Sequence, residues 1–161
     1  MKPSNLEVMP IPPGDAQVIR LIEALDELQE GLYPTDSNHL DSTEELAQPN
    51  VRFLGALEGD LLLGCGGVKL MDDEVEGIRY GEIKRMFVAP HARGKGVARR
   101  LMAALEVAAL AGDAQVMRLE TGIYQPDAIR LYERYGFESR GPFGQYAPDA
   151  LSVFMEKRLA P

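Results

Sequence analysis

Lys84-Arg-Met-Phe-Val-Ala-Pro-His-Ala-Arg-Gly-Lys-Gly-Val-Ala-Arg-Arg-Leu101 carries a strand into a short turn and then into a helix that opens on Arg93-Gly94-Lys95-Gly96-Val97-Ala98. Glycines at such a junction let backbone N–H groups approach a ligand with no Cβ in the way. The first amides of a helix have no partner inside it and carry partial positive charge, so the junction suits an anion such as a pyrophosphate. Six basic residues, Lys84, Arg85, Arg93, Lys95, Arg99 and Arg100, crowd the stretch with no acid among them. A polyanionic cofactor explains both features together, whereas a Gly-x-Gly turn alone also serves as an ordinary strand-to-helix connection. Other phosphate loops fit worse: Arg99 breaks a Gly-x-Gly-x-x-Gly pattern, and no Gly-Lys-Ser or Gly-Lys-Thr is present.

The helix that follows runs from Gly94 to Ala111, with Val97, Leu101, Ala104, Leu105 and Ala108 on one stripe and Gly112 at its stop. Val116 to Thr121 reads as a strand. Gln125-Pro126 then opens a helix with proline at a favoured first position, and Ala128, Leu131, Tyr132 and Tyr135 point inward before Gly136. Phe137 to Arg140 and Leu151 to Glu156 close the chain as two strands, the second alternating Leu151, Val153 and Met155.

Upstream, Leu6 to Ile11 is a short strand stopped by Pro12-Pro13-Gly14. Asp15 then caps a helix whose apolar face is Val18, Leu21, Ile22, Leu25 and Leu28, ending at Gly31. Tyr33 to Asp41 is a loop, and Asp41 to Ala47 a short helix capped by Ser42 or Asp41. Val51 to Leu57, Asp60 to Leu70 and Tyr80 to Val88 form an antiparallel meander. The order β-α-α-β-β-β-α-β-α-β-β over residues 1–161 predicts a single α+β domain, with a mixed, mostly antiparallel central sheet and helices on both faces.

The 161 residues, 45% hydrophobic and 26% charged, suffice for one core without disulfide or metal support. Cys65 lies in an apolar run and reads as a buried thiol rather than a nucleophile. His39 and His91 are far apart in sequence, so no metal is expected. The start of the chain lacks the apolar core of a signal peptide, and no window approaches the ~18 apolar residues of a membrane span, so a cytoplasmic protein without membrane contact is expected. A net charge of −8 argues against nucleic acid as a partner. The charge is uneven: residues 1–60 hold 12 acids against 3 bases, the remainder 13 against 14.

Arg93, Gly96 and Ala98 match the motif of the GNAT family of N-acetyltransferases: Gln or Arg, two residues, Gly, one residue, then Gly or Ala. Leu119-Glu-Thr-Gly-Ile-Tyr-Gln-Pro-Asp-Ala-Ile-Arg-Leu-Tyr-Glu-Arg-Tyr-Gly-Phe137 resembles the family's later strand, helix and Gly-Phe ending. The resemblance implies acetyl-coenzyme A as acyl donor. The amides after Arg93, over Gly94, Lys95, Gly96, Val97, Ala98 and Arg99, would hold the pyrophosphate. The strand Met86-Phe87-Val88 would pair with the pantetheine arm. Gln125 stands where many members have Asn, so its contact with the cofactor departs from the pattern.

The same resemblance makes Glu82, eleven positions before Arg93, the general base, often acting through water; otherwise it is a strand carboxylate paired with Lys84 or Arg85. It makes Tyr132 the general acid for the coenzyme A sulfur, a phenol that stays protonated at neutral pH. The implied activity is direct transfer of an acetyl group to a primary amine of a small molecule or peptide, by a monomer or homodimer; the alternative is a non-catalytic acyl-coenzyme A-binding sensor or interaction module. Tyr33, Asp36 and Tyr146 are expected at the acceptor. There the acids of residues 33–45 and the aromatic segment Pro142 to Tyr146 would favour a cationic amine.

Overall fold

A computed structural model of the chain describes residues 5–35 and 40–160. Its elements follow the predicted order: β1 (Leu6–Pro10), α1 (Ala16–Leu32), α2 (Thr43–Leu46), β2 (Val51–Glu58), β3 (Leu61–Asp73), β4 (Ile78–Val88), α3 (Val97–Ala111), β5 (Val116–Gly122), α4 (Pro126–Arg134), β6 (Glu138–Arg140) and β7 (Ser152–Arg158). The seven strands form one sheet in the order β1-β2-β3-β4-β5-β7-β6. Every pair is antiparallel except β4 with β5. The α+β architecture with a mixed, mostly antiparallel sheet is as the sequence predicts.

Strand alternation sorts the core into two layers. On one face Leu54, Leu63, Val68 and Ile83 pack against Val97, Leu101, Met102, Leu105 and Ala109 of α3. On the other, Val51, Phe53, Leu62 and Cys65 meet Val18 and Ile22 of α1 and Leu46 of α2. Asp15 caps α1 as predicted, its Oδ1 accepting from the N–H groups of Gln17 at 2.9 Å and Val18 at 3.3 Å. Ser42 caps α2 in a reciprocal pair with Glu45. Together such caps contribute about 1 kcal/mol per helix end.

The structure differs from the sequence reading at several points. Helix α1 continues through Gly31 to Leu32, because a glycine in a helix interior costs only about 1 kcal/mol and packing offsets it. Helix α3 begins at Val97 rather than Gly94, since Gly94 and Gly96 adopt left-handed φ values of 80° and 79°. Strand β7 lies between β5 and β6, and both of its faces are covered, Met155 by the α3-side core and Phe154 by Tyr80, Val116 and Phe143. Phe154 and Met155 are therefore both buried, and the single alternating stripe understates its burial.

The feature that makes a site is an irregularity in β4. Cys65 pairs with Phe87, but Gly67 pairs with Lys84, so β4 carries one extra residue there. Arg85 occupies this bulge with φ of 53°. Beside it, β4 pairs with β5 only from Tyr80 to Glu82, opposite Val116 to Arg118. Beyond Glu82 the two strands part and leave a cleft between them. Among the described residues no helix is long and apolar enough to cross a membrane.

Candidate active site

Two cavities open along this cleft. The larger, about 340 Å³, is lined by Met86, Phe87 and Val88 of β4, by Arg93 and Ala98 at the start of α3, and by Gln125 and Tyr132 at α4. Helix α3 has no side-chain cap, and its first ladder bond is Arg100 N–H to Gly96 C=O, so the preceding amides are left for another partner. Arg93 is exposed; its Nε donates to Val88 C=O at 3.3 Å, and its guanidinium carbon stands 5.4 Å from the Phe87 ring centroid. Gly94, Lys95, Gly96 and Arg99 are exposed beside this cavity without lining it. The Val97 side chain is buried in the core, so only its backbone N–H can serve an anion.

The basic cluster read from the sequence divides. Lys84 and Arg85 turn away from the α3 end and are buried in ion pairs, Lys84 with Asp41 and Glu82 and Arg85 with Asp26. Strand alternation decides this for Lys84, which shares a face with Glu82 and Tyr80 while the α3 junction lies further along. Arg93, Lys95, Arg99 and Arg100 remain exposed there.

The smaller cavity, about 100 Å³, shares Leu25, Met86, Gln125, Ala128 and Tyr132 with the larger one and extends past them to Asp41, Lys84, Glu120 and Tyr146. Tyr132 thus stands where the two meet. It is 7% exposed and packs edge-on against Phe137 at 5.8 Å. Burial alone pushes its hydroxyl up to about 12, so it stays protonated at neutral pH.

Lys84 organises the far end. Its Nζ lies 2.8 Å from Asp41 Oδ1, 3.1 Å from Glu82 Oε2 and 3.1 Å from the Tyr146 hydroxyl. Burial opposes its charge, but Glu82, Tyr146 and Asp41 reverse that and hold Lys84 well above the usual lysine value. The Tyr146 hydroxyl donates to Glu82 Oε2 at 2.5 Å. Burial, then the Glu82 charge, raises this phenol. Glu82 is 6% exposed and lines neither cavity. A base role for it therefore passes through Tyr146, Lys84 or water.

Tyr33 lines the smaller cavity, yet its hydroxyl is committed to structure. It donates to Gln125 Oε1 at 3.2 Å and accepts from Tyr124 N–H at 3.0 Å. Gln125 Oε1 also accepts from Gln29 Nε2 at 3.3 Å. Gln125 thereby joins α1 to the start of α4 while facing both cavities. Asp36 lies outside the described residues, as does His39. Of the acids expected at the acceptor wall, Asp41 lines the cavity; Glu44 and Glu45 do not, Glu45 being used to cap α2. Phe143 packs beneath Tyr80 and Phe154, leaving Tyr146 as the member of its segment at the cavity.

Sequence reasoning passed over Glu120. It is half-buried on β5 and lines the smaller cavity, and Ser152 Oγ donates to its Oε2 at 2.8 Å. Burial pushes its carboxyl up to about 7, with the Ser152 hydrogen bond and Lys84 pulling the other way. A carboxylate between Leu119 and Thr121 in an apolar strand was the available signal. Cys65 is fully buried, with its thiol pushed up to about 12 by burial, in keeping with a packing role.

Residues 20–137 match the family model described as acetyltransferase (GNAT) family. An IAA acetyltransferase of Azospirillum brasilense is 46% identical over 155 residues, covering 96% of this chain and 99% of that protein. A candidate acyl-CoA N-acyltransferase of Klebsiella pneumoniae superposes with a TM-score of 0.78 at 40% identity, over 96% of this chain and 98% of that one. The PaiA N-acetyltransferase of Thermoplasma acidophilum, solved in complex with coenzyme A, shares the fold with a TM-score of 0.74 at 18% identity, over 96% and 99% of the two chains. The chain therefore belongs to the GNAT family of acetyltransferases, whose members use acetyl-coenzyme A.

Proposed function

We propose that this protein moves the acetyl group of acetyl-coenzyme A directly onto a primary amine of a small molecule or peptide. The observation that carries the reading is the pair of cavities joined at Tyr132. The larger suits the donor: an apolar channel along Met86 to Val88 that ends at Arg93 and the uncapped start of α3 fits a pantetheine arm followed by a pyrophosphate. Gly94, Lys95, Gly96, Val97 and Arg99 would serve that pyrophosphate through backbone N–H groups and surface charge. The bound donor supplies an activated acyl carbon. The chain's residues orient it, exclude water and manage two protons, one leaving the amine and one arriving at sulfur.

Tyr132 is suited to the second task, since its protonated hydroxyl stands at the junction. The smaller cavity suits a cationic amine. Asp41 and Glu120 line it, and Asp41 Oδ2 is buried without a hydrogen-bond partner among the described residues, a partner that an ammonium would supply. In this reading Glu82 belongs to the proton network through Tyr146, while Tyr33 and Tyr146 border the acceptor.

The test is consumption of acetyl-coenzyme A over polyamines, amino acids, aminoglycosides, peptide N-termini and, given the 46% identical relative, IAA. Small cationic amines are expected to support turnover best. Tight donor binding with no turnover on any of them would replace the enzyme reading by a non-catalytic acyl-coenzyme A sensor.

A further inference from the structure

We propose that Glu120 takes the proton from the acceptor's ammonium group, and that Glu82 is a positioning residue for Lys84 and Tyr146. The proposal rests on the amine-acetylation reading above and names the residue that reading leaves open. Three observations support it. Glu120 lines the same small cavity as Tyr132, on the strand that faces β4 across the cleft, whereas Glu82 lines neither cavity. Only Oε2 of Glu120 is engaged among the described residues, by Ser152 Oγ at 2.8 Å, so Oε1 is left for a substrate N–H. Glu82 Oε2, by contrast, already receives the Tyr146 hydroxyl at 2.5 Å and Lys84 Nζ at 3.1 Å.

The surroundings poise this carboxyl near neutrality. Burial raises it, the Ser152 hydrogen bond and Lys84 lower it, and Glu82 and Asp149 raise it, reaching about 7. Asp41, Arg85 and the phenols of Tyr33, Tyr132 and Tyr146 also face the cavity, Arg85 being paired with Asp26. A base matched to the operating pH is the efficient choice for removing a proton from an alkylammonium before attack. Glu120 accepts one N–H proton and becomes a carboxylic acid. The freed nitrogen lone pair forms the N–C bond, the C–S bond breaks, and Tyr132 gives its proton to sulfur. The second nitrogen proton returns to the Tyr132 oxygen through water, and Glu120 releases the first to solvent, so one proton leaves per turnover.

The test compares wild type with Glu120→Gln, Glu82→Gln and Ser152→Ala, using the best amine from the screen, and reads kcat/KM against pH. Wild type should rise through an inflection near pH 7 and then level off. Glu120→Gln should lose that inflection and at least about 100-fold in rate at pH 7, recovering only as free amine accumulates. Its donor affinity by calorimetry should be unchanged, which also verifies folding. Ser152→Ala should move the inflection upward, because a hydrogen bond that lowers the carboxyl is gone. Glu82→Gln should keep an inflection and move it downward, because a charge that raises the Glu120 carboxyl is gone. In the free protein, carboxyl-carbon NMR should show a midpoint near 7 that vanishes in Glu120→Gln. An inflection that survives Glu120→Gln, or disappears in Glu82→Gln, overturns the assignment with amine acetylation intact. Absence of turnover with every amine sinks both readings together.

Discussion

Gly122→Ala is a single-methyl change whose consequence can be worked from the structure. A Cβ at this position would lie 1.8 Å from the Tyr33 hydroxyl oxygen, 2.1 Å from Cζ and 2.6 Å from Cε1. No small shift absorbs three such approaches, so the Tyr33 ring must leave. Its hydroxyl then loses the Tyr124 N–H and Gln125 Oε1 partners, each worth about 1 kcal/mol. The stack on Tyr124, with centroids 5.5 Å apart, is lost as well and contributes about 0.5–1.5 kcal/mol. The expected cost is about 3 kcal/mol, or a fall in Tm of roughly 6–12 °C for a chain of this size. Urea denaturation of a cycle with Tyr33→Ala is the assay. Tyr33→Ala alone should cost about 3–5 kcal/mol. In that background Gly122→Ala should cost less than about 0.5 kcal/mol, because the obstructing ring is gone. Equal cost in both backgrounds would refute the close approach. A folded Gly122→Ala protein should also bind donor and acceptor more weakly, since Gln125 loses a brace between the two cavities.

Further outcomes follow from the same geometry. Gly96→Asp should weaken coenzyme A binding by calorimetry about tenfold more than Gly96→Ala, the alanine variant sharing the cost of the left-handed φ of 79° without the charge. Equal affinities would move the pyrophosphate elsewhere. Tyr132→Phe should lower kcat by about 100-fold with little change in KM, and should leave stability nearly intact because burial alone perturbs this hydroxyl. A near-normal kcat would make Tyr132 a core residue. Lys84→Met should cost about 3–5 kcal/mol in urea at pH 7, since it strands Asp41 and Glu82 without their cation. The folded-state value of Lys84 is raised above the unfolded one of about 10.4, so this contribution is complete below pH 10.4 and lost as pH rises further. A gap between the two proteins that widens above pH 10.4 would contradict that sign.

What the sequence made legible was local, and what it hid was the meeting of distant segments. Helix periodicity, proline and glycine stops and the Arg93-to-Ala98 junction were each readable within a short window, and the element order follows them. The insertion of β7 between β5 and β6 was not, because strand pairing over long separation leaves no local trace. Lys84 and Arg85 misled for a related reason. Charge counted along a segment adds them to Arg93 and Lys95, but alternation and a bulge carry them onto partners 43 and 59 residues upstream, Asp41 and Asp26. Tyr33, expected at the acceptor, lines the smaller cavity and also donates its hydroxyl to Gln125, a contact between residues 92 positions apart that no local pattern shows.

The bulge at Arg85 ties these points to the chemistry. The extra residue sits in the β3–β4 ladder, and past Glu82 no ladder joins β4 to β5 among the described residues, so a cleft separates Met86 from Gly122. Parting the strands after Glu82 leaves β4 backbone free for a donor. It also sets Glu120 across open space rather than across a ladder. Glu82 remains in the paired segment, where it is buried beside Lys84. The point at which the strands separate thus assigns the two carboxylates different surroundings: Glu82 falls on the closed side with its partners already made, and Glu120 on the open side with one oxygen to spare. A substitution that restored pairing beyond Glu82 would be expected to abolish donor binding and acceptor chemistry together, though neither group had itself been changed.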